Sequence, residues 1–261
     1  MTLPPDLAAC AASVQAGDPD RFAAVMAAPS GTRARLWPLY ALNLELSRAP
    51  FASAQPVVAE MRLQWWVDQI ARLQAGGRAD GDVASALAPV LFAVPAIAPG
   101  LSRMAEARRW DCWGEPFADR AALYAHLDAT AGDLMWAAAL ALDAPAAAEG
   151  AVRDFARAAG LANWLAAVPV LKARGRMPLP DEAPEAIAAL AAEGLSRIAR
   201  ARAARGLVPH HVRPALWSGW SARVRLRAAQ TNPARVLQGT LPDPRITRAP
   251  ALMIRSLTGY W

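Results

Sequence analysis

Proline and glycine residues divide this chain into blocks of helix length that are rich in Ala and Leu. Ala and Leu favour helices, whereas the β-branched residues that favour strands form few clusters here. We find neither a strand-turn-strand pattern nor a repeat of fixed length. The pattern therefore predicts an all-α protein, a single-domain helical bundle over residues 1–261.

The predicted helices lie between these breakers, with an error of a few residues at each end. They are expected near residues 19–28, 31–48, 54–75, 82–94, 100–113, 117–143, 146–171, 183–205, 210–230 and 247–258, with a break inside 117–143. The apolar run over 83–101 approaches the length of a membrane span, but Pro89, Pro95 and Pro99 interrupt it. We interpret this run as a buried helix followed by a loop.

The block over 54–74 is the most regular of the predicted helices. Projected at about 100° per residue, its apolar side chains form two adjacent stripes. The stripes consist of Leu63, Trp66, Ile70 and Leu73, and of Val58, Met61 and Trp65. Arg62 and Gln69 fall within this apolar arc. We therefore expect Arg62 to be a buried polar anchor, paired with Glu45, another core acid or a ligand.

Charge is distributed unevenly along the chain. Residues 194–261 contain 12 Arg and one acid, Asp243, whereas residues 1–193 contain 16 basic and 21 acidic residues. This Arg-rich C-terminal region, with a net charge of +11, is expected either to attract anions or to form a solvated surface. An anionic membrane surface fits it better than nucleic acid, because the arginines of 197–206 have no aromatic neighbours and no nucleic-acid-binding motif accompanies them.

The N-terminal segment and the cysteines bear on location and on metal binding. The first residues include Asp6 and no early Lys or Arg, unlike a secretory signal, so a cytoplasmic location is expected. Cys10 and Cys112 have no Cys-x-x-Cys or Cys/His context, which argues against a disulfide framework and a structural zinc. None of the three His residues has the neighbours of a nucleophile or a zinc site.

Two aspartates on the helix that begins near Tyr124 are the remaining candidates for a metal site. Asp128 and Asp133 are five residues apart, which is about 140° of rotation on an α-helix, so they should not bind one ion together. Asp128 lies beside an apolar stripe and is expected to pair with an interior Arg or Tyr, whereas Asp133 should point away from that stripe. We therefore predict no metal site and no cofactor.

Two distant segments, 40-YALNLELSRAPF-51 and 163-NWLAAVPVLKARGRMPLP-180, resemble the Asp-rich motifs of the squalene/phytoene synthase superfamily. The active members are all-α enzymes of the isoprenoid synthase type that join two prenyl diphosphates head to head. Their two motifs each contain carboxylates four residues apart, which hold Mg²⁺ between facing helices. The resemblance implies the same fold for this chain.

The acids of both motifs are replaced in this sequence. In the first segment the two acidic positions align with Ser47 and Phe51, and in the second they align with Ala167 and Leu171. None of these side chains is a carboxylate. The resemblance therefore implies a protein that keeps the scaffold and lacks the metal ligands.

Within the superfamily the chain resembles in particular the branch of respiratory complex I assembly factors. The segments 40-YALNLEL-46, 62-RLQWW-66 and 160-GLANWLAAVP-169 match that branch, and Asn43 and Glu45 fit it better than they fit the active synthases. The resemblance implies a non-catalytic protein that assists complex I assembly, peripherally bound to the inner membrane from the cytoplasm. Its expected partners are complex I subunits or assembly intermediates, and its expected ligand is a prenyl lipid.

The alternative is an active head-to-head prenyl diphosphate synthase of isoprenoid biosynthesis that uses Mg²⁺ and relocated acids. The ten Trp residues suit an isoprenoid pocket and an ordinary core equally well. No catalytic residue is assigned. The residues expected to line a pocket or contact its ligand are Tyr40, Asn43, Glu45, Arg62, Trp65, Trp66, Gln69, Tyr124, Asp128, Asn163, Arg174 and Arg176.

Overall fold

The computed structural model describes residues 3–53, 55–243 and 245–261. Met1, Thr2, Ala54 and Pro244, which belong to the predicted domain, lie outside the described residues. Over the described residues the chain forms helices and no strand. The all-α prediction is therefore confirmed.

The α-helices are numbered here in chain order. They are α1 (Pro5–Gly17), α2 (Pro19–Ala27), α3 (Ser30–Arg48), α4 (Pro56–Gln74), α5 (Asp82–Ala93), α6 (Ala98–Ala107), α7 (Arg109–Trp113), α8 (Arg120–Leu127), α9 (Asp133–Ala141), α10 (Glu149–Ala173), α11 (Pro184–Ala203), α12 (Ala222–Thr231), α13 (Ala234–Leu237) and α14 (Arg245–Thr258). Short 3-10 helices lie at Ala49–Phe51, Pro95–Ile97, Ala146–Ala148, Arg205–Leu207 and His210–Gly219. A π-helical segment, Asp128–Gly132, joins α8 to α9.

Two of the helix starts follow directly from capping chemistry. The side chain of Asp18 accepts a hydrogen bond from the backbone N–H of Arg21 at the start of α2, and Asp119 accepts one from Ala122 at the start of α8. Helix α1 was not among the predicted helices, because its many Ala residues do not define an apolar stripe.

The core is organised around α10 and α3. Helix α10 packs against α11, α12 and the π-helical segment, while α3 packs against α1, α5 and α9. A Cβ placed on Gly160 of α10 would lie 2.6 Å from the Cβ of Ala131. Glycine therefore permits the close approach of α10 to the π-helical segment. One hydrophobic cluster extends from Cys10 to Trp261.

Helix α4 buries one of its two predicted apolar stripes. Leu63, Ile70 and Leu73 lie in the core, whereas Met61 is 67% exposed and Trp65 is 40% exposed. The predicted start at Ala54 lies outside the described residues, and the helix begins at Pro56. The prediction of a broad buried face is wrong: α4 packs against α5, α6, α7 and the 3-10 helix at Ala49–Phe51, and its second predicted stripe stays exposed.

The apolar run over 83–101 forms α5, a short 3-10 helix and the start of α6. Among the described residues no single helix has both the length and the hydropathy for crossing a membrane. Asp82–Ala93 and Pro95–Trp113, which meet at 114°, would reach that threshold only as a pair.

Candidate functional site

A cavity of about 400 Å³ lies between α3 and α10, and it is lined on both sides by the segments that resemble the Asp-rich motifs. In the second segment the two motif positions are four residues apart on α10 and therefore lie on the same face of that helix. In the first segment Ser47 belongs to α3, and Phe51 ends the 3-10 helix that follows it. Ser47 and Phe51 line one wall, and Ala167 and Leu171 line the other. The four positions that align with metal-binding acids thus meet in one place.

The side chains at these four positions include one hydroxyl and no carboxylate that could bind a cation. The hydroxyl of Ser47 donates a hydrogen bond to the carbonyl of Leu44, 3.0 Å away. The ring of Phe51 lies under the guanidinium of Arg174, whose carbon is 4.5 Å from the ring centroid. Arg174, one of the predicted ligand-binding residues, is exposed and therefore lies at the edge of the cavity.

Two acids of the cavity wall are paired with neighbouring arginines. Asp18 forms an ion pair with Arg21, and Asp111 forms one with Arg108 at 3.0 Å. Because each carboxylate already has a cationic partner on its own helix or next to it, neither is available as a free anionic ligand.

The third acid of the cavity wall, Asp20, is bound by the Arg-rich C-terminal region. It accepts a hydrogen bond from Arg248 at 3.0 Å and lies 3.7 Å from Arg225. Arg225 also donates to the side-chain oxygen of Asn163 at 2.7 Å. Asn163, one of the predicted site residues, lines the cavity, and its side-chain carbonyl oxygen contacts a guanidinium.

The residues of the cavity do not fit a magnesium cluster. Mg²⁺ requires carboxylate oxygens in octahedral geometry, and the cavity acids Asp18, Asp20 and Asp111 are all held by arginines. Over the described part of the chain, no group of three or more His, Cys, Asp or Glu side chains could hold a metal ion. No reaction step through Mg²⁺ follows from this arrangement.

Two of the predicted site residues, Tyr40 and Asn43, lie on the cavity side of α3. Asn43 is buried and lines the main cavity. Tyr40 borders a smaller adjoining cavity together with Arg21 and Ser218. Burial raises the pKa of the Tyr40 hydroxyl, so this group is a neutral hydrogen-bonding group at physiological pH.

An aromatic cluster lies behind one wall of the cavity, and one of its members, Trp164, belongs to that wall. Trp164 lines the cavity, and its indole N–H donates to the carbonyl of Pro178 at 2.8 Å. His126 packs against Trp110, Phe117 and Trp164 with ring centroids 5.2 to 5.5 Å apart. Burial lowers the pKa of His126 to about 4, because the cluster disfavours the charged imidazole.

Arg176 has a structural position beside the cavity. Its guanidinium donates to the backbone carbonyl of Asp111 at 2.6 Å, and to that of Cys112 at 3.5 Å. These bonds occupy carbonyl groups at the end of α7. Of the two predicted arginines, Arg174 is thus the more accessible to a ligand.

None of the four predicted site residues on α4 lines the cavity. The prediction that Arg62 is buried is wrong, because its side chain is on the exposed face of α4 and forms no ion pair with Glu45. Trp66 and Gln69 lie on the buried face of α4, and the side-chain amide of Gln69 donates to the carbonyl of Arg78 at 3.2 Å. Trp65 is on the surface, 40% exposed.

Glu45 and Tyr124 are also separate from the cavity wall. Glu45 is half-buried and follows Asn43 by two residues, so it points to another side of α3. Tyr124 packs its ring under the guanidinium of Arg197, with 4.8 Å between the guanidinium carbon and the ring centroid. Neither residue lines the cavity.

Asp128 pairs with interior arginines, which confirms that prediction. It accepts from Arg157 at 2.9 Å and from Arg153 at 3.3 Å. Burial alone would raise the pKa of the Asp128 carboxyl, but these two arginines outweigh it and lower the pKa. The prediction for Asp133 is wrong: its side chain is 2% exposed and binds both Arg153 and Arg103.

The structure adds several residues to the site that the sequence patterns did not indicate. They are Asp18, Asp20, Arg21, Arg108, Asp111, Thr130, Trp164, Ser218 and Ser221. These residues come from α2 and α7 with the residues just before them, from the π-helical segment, from α10, and from the 3-10 helix and loop before α12. They are far apart in sequence, so no local pattern links them. Among them, Trp164 lies in the segment 163–180 that carries the resemblance.

Comparisons with known proteins agree with this geometry. The squalene/phytoene synthase family model matches residues 14–185, about two thirds of the chain. The structure is similar to that of a dehydrosqualene synthase in complex with ligand, with a TM-score of 0.80, 16% identity, and coverage of 98% of this chain and 97% of the other.

A second similar structure is that of squalene synthase HpnC from Alicyclobacillus acidocaldarius, with a TM-score of 0.75 and 15% identity over 91% of this chain and 95% of that one. A search of curated proteins finds no match. At these identities the two structures establish the isoprenoid synthase type of fold, and the family model establishes membership. The chain belongs to the squalene/phytoene synthase family.

Proposed function

We propose that this protein is a non-catalytic member of its family that binds a prenyl lipid in the cavity between α3 and α10. The observation that carries the proposal is that Ser47, Phe51, Ala167 and Leu171 meet in one cavity and that none of them is a carboxylate. Departure of a diphosphate creates negative charge that a metal ion normally stabilises. Arginine side chains alone would stabilise this negative charge less well than a bound metal ion.

The cavity retains properties that suit an isoprenoid chain. Its volume of about 400 Å³ is within the usual range for small-molecule sites. Leu127, Trp164 and Leu171 contribute apolar surface, while Arg174 at the edge offers a cation to a polar head group. These features support binding of a lipid with a long apolar part and an oxygen-containing end.

We further propose that the protein assists respiratory complex I assembly, with complex I subunits or assembly intermediates as partners. The sequence segments of that branch support this role, and the exposure of two of their residues is compatible with it. Arg62 and Trp65 of the segment 62–66 lie on the surface of α4 beside Met61. Exposed Trp, Arg and Met side chains are typical of protein interfaces.

The proposed location is cytoplasmic and peripheral on the inner membrane. The Arg-rich C-terminal region supports it, because Arg205, Arg223 and Arg227 are exposed and form no ion pair among the described residues. Other arginines of this region, including Arg197 and Arg225, instead bind acids of the protein. The attraction to anionic lipid is therefore assigned to the unpaired arginines.

Turnover is the direct test of the non-catalytic proposal. Purified protein incubated with labelled farnesyl or geranylgeranyl diphosphate and Mg²⁺ should release no pyrophosphate and form no head-to-head product. An active synthase, the alternative function, would form product, and Glu45→Gln or Asp128→Asn would abolish the activity if relocated acids supplied the metal site. Native mass spectrometry of the protein extracted from its host should detect a bound lipid.

The assembly role is tested in cells. Deletion of the gene should lower rotenone-sensitive NADH oxidation in membranes, and the wild-type gene should restore it. Trp65→Ala should restore it less well, whereas Phe92→Ala, which changes a side chain that is 90% exposed on α5, is the matched control and should restore it fully. Normal NADH oxidation after deletion would contradict the role.

A further inference from the structure

Two arginines of α14, Arg248 and Arg255, point toward the protein. Arg248 donates to Asp20 at 3.0 Å, and Arg255 donates to the backbone carbonyl of Trp220 at 3.3 Å. Leu252, between them in sequence, is buried. This side of α14 rests on α2 and on the 3-10 helix at His210–Gly219.

The opposite side of α14 is apolar and faces solvent. Met253, Ile254 and Leu257 are 59%, 55% and 78% exposed. Ala249 and Pro250, on the same side, are also exposed. Between 249 and 261 the single charged residue is Arg255, which points inward. A surface helix normally has the reverse arrangement, so this outward face indicates a partner.

An arginine-lined cleft adjoins the end of this helix. The cleft has a volume of about 330 Å³, and Arg202, Arg205 and Arg213 line it together with Thr258 and Tyr260. No acidic side chain is among its lining residues. Arg202 and Arg213 donate to backbone carbonyls of the last residues, whereas Arg205 is exposed with no ion pair among the described residues.

We infer that α14 docks on an anionic phospholipid surface, with Met253, Ile254 and Leu257 inserted among the lipid head groups and Arg205 of the adjoining cleft bound to a phosphate. This inference rests on the membrane location proposed above, and it names the element that makes the contact. An interfacial helix gains from burying its apolar face, and nearby arginines gain from anionic lipid.

The charge of the C-terminal region favours a lipid surface over a second copy of the chain as the partner of α14. Residues 194–261 carry 12 Arg against one acid, so pairing two such regions across α14 would bring like charges together. The exposed apolar face of α4 differs, because its neighbours carry charges of both signs, the acids Glu60 and Asp68 as well as Arg62. Anionic lipid complements the surroundings of α14 and not those of α4.

The test is flotation of the full chain with phosphatidylcholine vesicles, with and without phosphatidylglycerol. We expect binding only to the anionic vesicles and a loss of about tenfold or more for the double variant Met253→Gln, Leu257→Gln. The matched control is Val57→Gln, Met61→Gln on α4, which also changes two exposed side chains (57% and 67% exposed) and should bind like the wild type. Thermal melts check that both variants fold.

A second readout reports insertion directly. An environment-sensitive fluorophore attached at Leu257→Cys should shift to shorter wavelength with anionic vesicles, and one attached at Phe92→Cys should not. Cys10 and Cys112 are buried, and burial raises their pKa values to about 12 and about 11, so they should react slowly with the label.

The outcomes separate this inference from the proposed location. Salt-sensitive binding that the α14 variant leaves unchanged would overturn the role of α14 and retain the membrane location. Failure of the wild type to bind any vesicle would overturn both. Self-association of the wild type that the α14 variant abolishes, without vesicle binding, would show a contact between copies and overturn the lipid assignment.

Discussion

Asp128 and Asp133 lie on the same side of their helix, although five residues separate them. The guanidinium of Arg153 lies 3.3 Å from a carboxylate oxygen of Asp128 and 2.9 Å from one of Asp133. An α-helix would turn the two aspartates about 140° apart. The π-helical hydrogen bonds over Asp128–Gly132 connect residues five apart and bring the two carboxylates together around one cation.

Loss of this shared cation should destabilise the protein. Arg153→Met leaves Asp133, which is 2% exposed, with only the half-exposed Arg103 as a partner. We expect the free energy of unfolding to fall by about 3 kcal/mol in urea titrations followed by circular dichroism. Arg35→Met, which breaks an ion pair whose side chains are 50% and 66% exposed, should change it by less than about 1 kcal/mol. Equal effects of the two variants would contradict a buried role for Arg153.

Gly160 and Gly150 offer a matched pair of substitutions within α10. A Cβ at position 160 would lie 2.6 Å from that of Ala131, so Gly160→Ala must push α10 away from the π-helical segment and should destabilise the protein by about 1 to 3 kcal/mol. Nothing lies within 4 Å of a Cβ at Gly150, and Gly150→Ala should raise stability by up to about 1 kcal/mol. Thermal melts of the two variants should therefore move in opposite directions.

Stability should fall as the pH drops from about 6.5 to about 4, because of His126. The folded protein keeps this imidazole neutral down to a pKa of about 4, whereas the unfolded chain binds the proton near 6.5. The unfolded state therefore binds more protons in this window, and the difference of about 2.5 pH units corresponds to about 3 kcal/mol. In His126→Phe the slope over this window should largely disappear. The Asp128 carboxyl, whose pKa is lowered from an ordinary value of 3.8, adds a further loss that begins near the acid end of this window and grows as the pH falls.

Filling the cavity should abolish ligand binding without unfolding the protein. Ala167 lines the cavity on α10, and Ala167→Trp would occupy the space that we assign to a prenyl chain. We expect a fluorescent prenyl lipid to bind about tenfold more weakly or worse to this variant. Ala173→Trp, at an exposed position of the same helix, is the control and should bind like the wild type. Unchanged affinity in the Ala167 variant would place the ligand elsewhere.

The sequence by itself determined that the protein is all-α and which residues occupy the motif positions. Periodicity and breakers located most helices, because Ala and Leu favour helices and Pro interrupts them. The four-residue spacing of the second motif places Ala167 and Leu171 on one face of the helix predicted over 146–171. These properties depend on neighbours along the chain, so a single sequence contains them.

Only the tertiary structure decided which polar groups meet. Arg62 lies within the predicted apolar arc of α4, yet it is exposed because no neighbouring helix covers that part of the arc. Arg225 contacts Asp20 and Asn163, although Asn163 is more than sixty residues away in sequence and Asp20 is farther still. These contacts form because the C-terminal helices pack against α10. Such contacts depend on which helices are neighbours in space, and helix periodicity carries no information about that choice.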